Sequence, residues 1–252
     1  LGIGDEVIVT GQVREMHERD PRPVRIVYEK PGKWSPVFAH NPRIAPREAE
    51  GDFQELRPRE NYLRPYCVEK SPRQWRWRAW RPPRGEFYLA PEEQLFAEEH
   101  AGQVVLNPHV KPGASPNKQW GMSRWDVLCM HLTEAGIVPT IIVGDAPNLF
   151  RGAKRIPTPT IRHAAALLSK ARLVITGEGA LHHVAAAVGC RAIVIYGGYI
   201  SPEVTGYDDQ VSLFAGGGLG CGMRVRCSHC EAAMSRIQPA EVAAAAVRLL
   251  RG

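Results

Sequence analysis

The chain has no run of about 18 apolar residues, so nothing in it reads as a membrane-spanning helix. It has no charged-then-apolar leader ending in small residues, which makes the cytoplasm the expected compartment, without membrane insertion. No fixed internal period and no low-complexity tail is present, which argues against a repeat protein. Six cysteines are too few and too scattered for a secreted disulfide scaffold. Cys67, Cys129 and Cys190 lie in apolar contexts and read as small core residues. Cys221, Cys227 and Cys230, with His229 among them, have only part of a zinc spacing, because a second close pair is missing. Packing thiols, a labile disulfide and a metal site are all open for them. The expectation adopted is no metal and no cofactor.

What is present suits a soluble α/β protein. The 252 residues suffice for two small α/β domains or one large one. A net charge of +6 fits either a polyanionic partner or a phosphorylated substrate. The basic excess is uneven, with nine Lys or Arg between Arg57 and Arg84 against Glu60 and Glu69. Within it runs Gln74-Trp-Arg-Trp-Arg-Ala-Trp-Arg81. In an extended segment Trp75 and Trp77 share one face, and Arg76 and Arg78 the other. Such interleaving either stacks bases and neutralises phosphates or forms an edge strand with buried Trp and exposed Arg.

The first half predicts a helix over residues 6–17, a strand over 24–28, a turn at Pro31-Gly32, and a short strand over 34–38. A proline-rich connection follows, then a helix over 91–100 with proline in its first turn. The second half is more regular. Strands are expected over 103–107, 139–143, 171–176 and 191–196. Helices are expected over 123–135 with Ser123 as N-cap, and over 161–171, 184–189 and 239–250. This alternation reads as a doubly wound parallel sheet.

Thr176-Gly-Glu-Gly-Ala-Leu-His-His183 sits between a strand and an Ala-rich helix, where such sheets bind ligands. The free N–H groups of a helix start suit an anion such as phosphate, Gly177 and Gly179 allow close approach, and His182 and His183 add ring donors. The plainer alternative is a βα turn whose glycines relieve sterics and whose histidines cap or pack. Lys118, in the loop before Trp120, reaches a diphosphate or is simply solvated. Gly2-Ile-Gly4-Asp5 opens a helix, where Asp5 either caps or serves as a general base.

Taken together, these segments resemble glycosyltransferase family 9, the heptosyltransferase-like enzymes of GT-B fold. The resemblance rests on Gly4-Asp5, Asn41-Pro-Arg-Ile44, Asn117-Lys-Gln-Trp120, Trp125, Glu178-Gly-Ala-Leu-His-His183, Ala185-Ala-Ala187, Ala192-Ile-Val-Ile-Tyr-Gly197 and Ser201-Pro202. The family's Asp-Thr stands as Glu178-Gly179 here. The resemblance implies two Rossmann-like lobes, a reduced acceptor-side lobe over residues 1–95 and a donor lobe over 96–252. It implies a nucleotide-sugar donor held by Lys118, Gly177, Glu178, Gly179, Ala180, Leu181, His182 and His183, with Asp5 as general base and no metal. Gly4, Arg76, Trp77 and Arg78 are expected on the acceptor side. The acceptor is either a glycan or a hydroxymethylated base in DNA, the latter as in viral glycosyltransferases that modify DNA. The competing expectation is a non-catalytic nucleotide- or nucleic-acid-binding protein on the same scaffold.

Overall fold

A computed structural model of the chain describes residues 2–27, 34–57, 64–143, 150 and 152–252. The expected turn at Pro31-Gly32 and the end of the first strand at Tyr28 lie outside these residues.

The N-terminal part holds α1 (Ile3–Arg19), a parallel pair β1 (Val24–Ile26) and β2 (Gln54–Leu56), and a hairpin of β3 (Cys67–Ser71) and β4 (Gln74–Trp77). Then come α2 (Pro91–Glu99), β5 (Val104–Asn107), α3 (Met122–Glu134), β6 (Pro139–Val143) and β7 (Lys154–Pro157). They are followed by α4 (Ile161–Ser169), β8 (Leu173–Gly177), α5 (Ala180–Val188) and β9 (Ala192–Gly197). The chain ends with α6 (Pro202–Thr205), β10 (Val211–Phe214), α7 (Ser228–Arg236) and α8 (Pro239–Arg251).

The main sheet has six strands in the order β10-β9-β8-β5-β6-β7, all parallel. Alternation along each strand divides the core into two layers. Val105, Val174 and Val194 face a layer shared with Val7 and Ile8 of α1, Leu167 of α4 and Val184 of α5. Leu106, Ile175 and Ile193 face the other, with Leu128 of α3 and Val242 of α8. Helices on both faces make the central strands apolar throughout, and all six residues of β9 are buried. The architecture is the expected α/β fold with a reduced N-terminal part.

Two local expectations are corrected. The stretch over 34–38 is not a strand. Pro36–Phe38 forms a 3-10 turn, because Pro36 sets its first position and Ser35 Oγ accepts from the Val37 amide at 3.2 Å. Ser123 does not cap α3; the helix starts one residue earlier, after Gly121 at φ 101°. The end was read correctly, with the left-handed Gly136 donating its amide to Thr133 O at 2.9 Å.

The helix α1 packs against α5 and against the chain before α2. Gly11 is where the backbone of residues 83–85 crosses it, and a Cβ there would lie 2.6 Å from Arg84 O. Helix propensity alone favours alanine over glycine by about 1 kcal/mol. The crossing reverses that sign. Gly11→Ala is therefore expected to lower stability by about 1–3 kcal/mol, as overpacking does, measured by urea unfolding.

Candidate functional site

The strand β8 delivers residues 177–179 to the carboxyl edge of the sheet, and α5 begins at Ala180. The first N–H groups of α5 have no acceptor within the helix. A Cβ on Gly179 would meet nothing within 4 Å, so that turn borders open space. Across from it lies the start of α1. A Cβ on Gly4 would fall 2.8 Å from the His183 ring and 3.4 Å from Ala180 Cα. Two helix N-termini thus meet with glycine at the contact. The fold brings together Gly4, Asp5, Lys118 and residues 177–183, which are far apart in the chain.

Asp5 is buried and well supplied with donors. Gly2 N donates at 3.0 Å, Arg64 Nε at 3.0 Å and Tyr66 Oη at 2.7 Å, and a second Arg64 nitrogen closes a forked pair. Burial pushes its carboxyl up, but Arg64, Tyr66 and Gly2 together outweigh this and hold it below the ordinary value of 3.8. Asp5 is ionised at neutral pH. Arg64 and Tyr66 were not singled out from sequence. Arg64 lay within the basic stretch, but its distance of 59 residues from Asp5 concealed the pairing.

Glu178 is buried, and Lys118 is ion-paired to it. Burial raises the Glu178 carboxyl, while the charge and hydrogen bond of Lys118, together with His182, outweigh it and draw it below 4.5. The Lys118 ammonium also sits 5.3 Å from the Tyr199 ring centroid. Lys118 is thus held between a carboxylate and an aromatic face, with its side chain only partly exposed.

His182 departs from its expected part as a ring donor to a ligand. Its Nδ1 accepts from the Gly179 amide at 3.1 Å, leaving Nε2–H to donate to Thr205 O at 3.0 Å. Both nitrogens are used to hold the turn. His183 Nδ1 pairs with Tyr207 Oη at 2.9 Å, and its ring packs at 3.8 Å from that of His182. Leu181 is a buried core residue.

Trp77 also departs from expectation. It is buried, its Nε1 donates to Tyr199 O at 2.7 Å, and its ring lies against Tyr66 and Tyr199. No face of it is free to stack a base. Arg76 and Arg78 are exposed on the hairpin. The Trp/Arg alternation is that of a strand packing its Trp77 side inward.

The model of glycosyltransferase family 9 (heptosyltransferase) matches residues 81–231, more than half of the chain. The chain belongs to this family. No curated protein matches it at a significant level. Among solved structures, the glycosyl transferase family 9 protein from Veillonella parvula is similar over 99% of this chain and 94% of its own, with TM-score 0.68 and 15% identity. The ADP-heptose LPS heptosyltransferase II of E. coli is similar over 66% of this chain and 53% of its own, with TM-score 0.51 and 17% identity. The chain therefore spans about half the length of that enzyme. The iron-containing dodecameric heptosyltransferase TibC, in complex with ADP-D-beta-D-heptose, is similar over 60% of this chain and 45% of its own, with TM-score 0.47 and 17% identity.

The expectation of no metal and no cofactor is corrected. The described residues hold two sets of donors close enough to share an ion, Cys221 with His229 and Cys230, and Glu178 with His182 and His183. The second set is spent internally, on Lys118, Gly179, Thr205 and Tyr207. The first is taken up below. As to the membrane, no helix among the described residues is long and apolar enough to cross one.

Burial holds His182 below 6.5 and His183 well below it, so both stay neutral in the fold. The unfolded chain gains protons first as pH falls, so their stabilisation is complete above 6.5 and declines below it. Asp5 and Glu178 lose their contribution only at lower pH, below 3.8 and 4.5. His183→Asn removes one titrating ring, and its unfolding free energy is expected to fall less between neutral pH and pH about 5 than that of the parent. Parallel slopes in urea titrations would contradict this assignment.

Proposed function

We propose that the chain is a glycosyltransferase that moves a sugar from a nucleoside-diphosphate donor to an acceptor hydroxyl. The observation that carries this is the meeting of the α1 and α5 starts, with Asp5 on one side and Lys118 on the other. Family membership supports the reaction class. In this reading residues 96–252 bind the donor and residues 1–95 form the acceptor side.

The donor diphosphate lies over Gly177, Gly179 and Ala180, where the α5 N-terminus faces negative charge. Lys118 turns from Glu178 toward the phosphates as the glycosidic bond breaks and charge builds on the leaving group. Glu178, freed from Lys118, is left to accept from hydroxyls of the donor sugar. Asp5, ionised and oriented by Arg64 and Tyr66, takes the proton of the acceptor hydroxyl as its oxygen bonds to the sugar. Arg64 keeps the carboxylate weakly basic, so proton transfer comes late, after the sugar–oxygen bond has begun to form. Gly4 keeps the acceptor side within reach of α5.

A panel of nucleotide-sugars, scored for hydrolysis and transfer, tests the reading. Turnover of none of them, together with salt-sensitive DNA binding, would favour a nucleic-acid binder instead. With a working donor, Lys118→Ala is expected to weaken donor binding and reduce turnover by roughly a hundredfold. Asp5→Asn is expected to cost roughly a hundredfold or more in transfer while donor affinity stays unchanged. Because Arg64 loses its partner in that variant, its folding is checked by circular dichroism. Transfer retained by folded Asp5→Asn excludes Asp5 as the base.

A further inference from the structure

The stretch after β10 returns over the carboxyl edge of the sheet and carries three free thiols, Cys221, Cys227 and Cys230. Cys221 Sγ lies 3.8 Å from Cys227 Sγ and 3.1 Å from Cys230 Sγ. His229 Nδ1 is 3.8 Å from Cys230 Sγ, and Cys221, His229 and Cys230 present donor atoms within 4.8 Å of one another. Two thiolates bound at ~2.3 Å to one tetrahedral ion stand roughly 3.8 Å apart. Cys221, His229 and Cys230 are therefore gathered at about the spacing of a single coordination shell, and Cys227, 3.8 Å from Cys221, stands beside them as a fourth donor.

Two further features support this geometry. Cys227 is the N-cap of α7, with His229 and Cys230 in its first turn, where the helix dipole favours thiolates. The His229 ring lies over Gly198, where a Cβ would come within 2.9 Å of its Cε1. Any larger residue at 198 would displace the imidazole from the thiols.

The same stretch fastens three segments around the candidate site. Cys221 N donates to Gly198 O and Gly222 N to Tyr199 O, both at 3.0 Å. Trp75 N of the hairpin donates to Gly222 O at 2.9 Å, and Gln74 Nε2 to Cys221 O at 2.9 Å. Gly222 adopts φ 67°, and a Cβ there would lie 2.0 Å from Trp75 O. Asn117, the neighbour of Lys118, donates to Met223 O and Val225 O at 2.7 Å and accepts from Cys227 N at 3.1 Å.

We propose that Cys221, Cys227, Cys230 and His229 bind one thiophilic divalent ion, zinc or ferrous iron, which pins the Lys118 loop and the β3–β4 hairpin together at the sheet edge. Soft thiolates with one imidazole suit either metal, and a closed four-donor set suits a structural rather than a catalytic ion. Asn117 and Gly222 extend its hold to both neighbouring segments.

The test uses the full chain, untagged, expressed with zinc and iron both supplied, and its readouts do not depend on sugar transfer. Elemental analysis is expected to find about one equivalent of metal per chain and to identify it. Cys221→Ser and Cys227→Ser are expected to lose it, and Cys190→Ser to keep it. Cobalt exchanged into the parent is expected to give the visible bands of tetrahedral thiolate coordination. His229→Gln, at an exposed position, is expected to alter those bands in a folded protein. Should the Cys→Ser variants fail to fold, chelation of the parent is expected to make three further thiols reactive. Metal-free protein with no thiol change on chelation, a disulfide among these cysteines, or metal kept by Cys221→Ser would each overturn the proposal.

Discussion

Two helix N-termini meet across Gly4, and the site is built on that contact. Each helix start carries partial positive charge from aligned peptide dipoles. Bringing two together without water between them is unfavourable unless negative charge lies close by. Asp5 and Glu178 supply it, and both are buried. Buried carboxylates in turn require cations, and Arg64 and Lys118 meet that need. The result is a layered arrangement of alternating sign. Arg64 is tied by a fork to Asp5, whereas Lys118 bears on a single Glu178 oxygen and on the Tyr199 ring. Of the two cations, Lys118 is the one whose contacts an incoming anion can replace at least cost.

The wall around this arrangement comes from segments with no chemistry of their own. Tyr199 underlies Lys118 and receives Trp77 of the hairpin through its carbonyl. Tyr66 stacks on Trp77 and Trp80 while its hydroxyl reaches Asp5. A hairpin that looks basic and aromatic from its sequence is thus a buttress between the two carboxylates. Its arginines face outward because its Trp77 is committed inward. His182 has a similar part on the other side, tying Gly179 to Thr205 and leaving the turn rigid.

Much of this was legible in the chain. Central parallel strands are buried on both faces and therefore appear as unbroken apolar runs, which is why β8 and β9 stood out. The turn after β8 was visible because strand, glycines and Ala-rich helix follow one another locally. The short stretch over 34–38 was misread because its apolar composition suggested a strand, while Ser35 and Pro36 set a tighter turn.

The sequence by itself determined the alternation of strands and helices, the family, and the residue types at the sheet edge, since all of these depend on neighbours a few positions apart. Only the tertiary structure decided what those residues do for one another. Asp5 found Arg64 59 residues away, and Trp77 found Tyr199 122 residues away. A carboxylate's ionisation, a histidine's free nitrogen or the exposure of an indole depends on which distant segment the topology lays against it, and no local pattern encodes that.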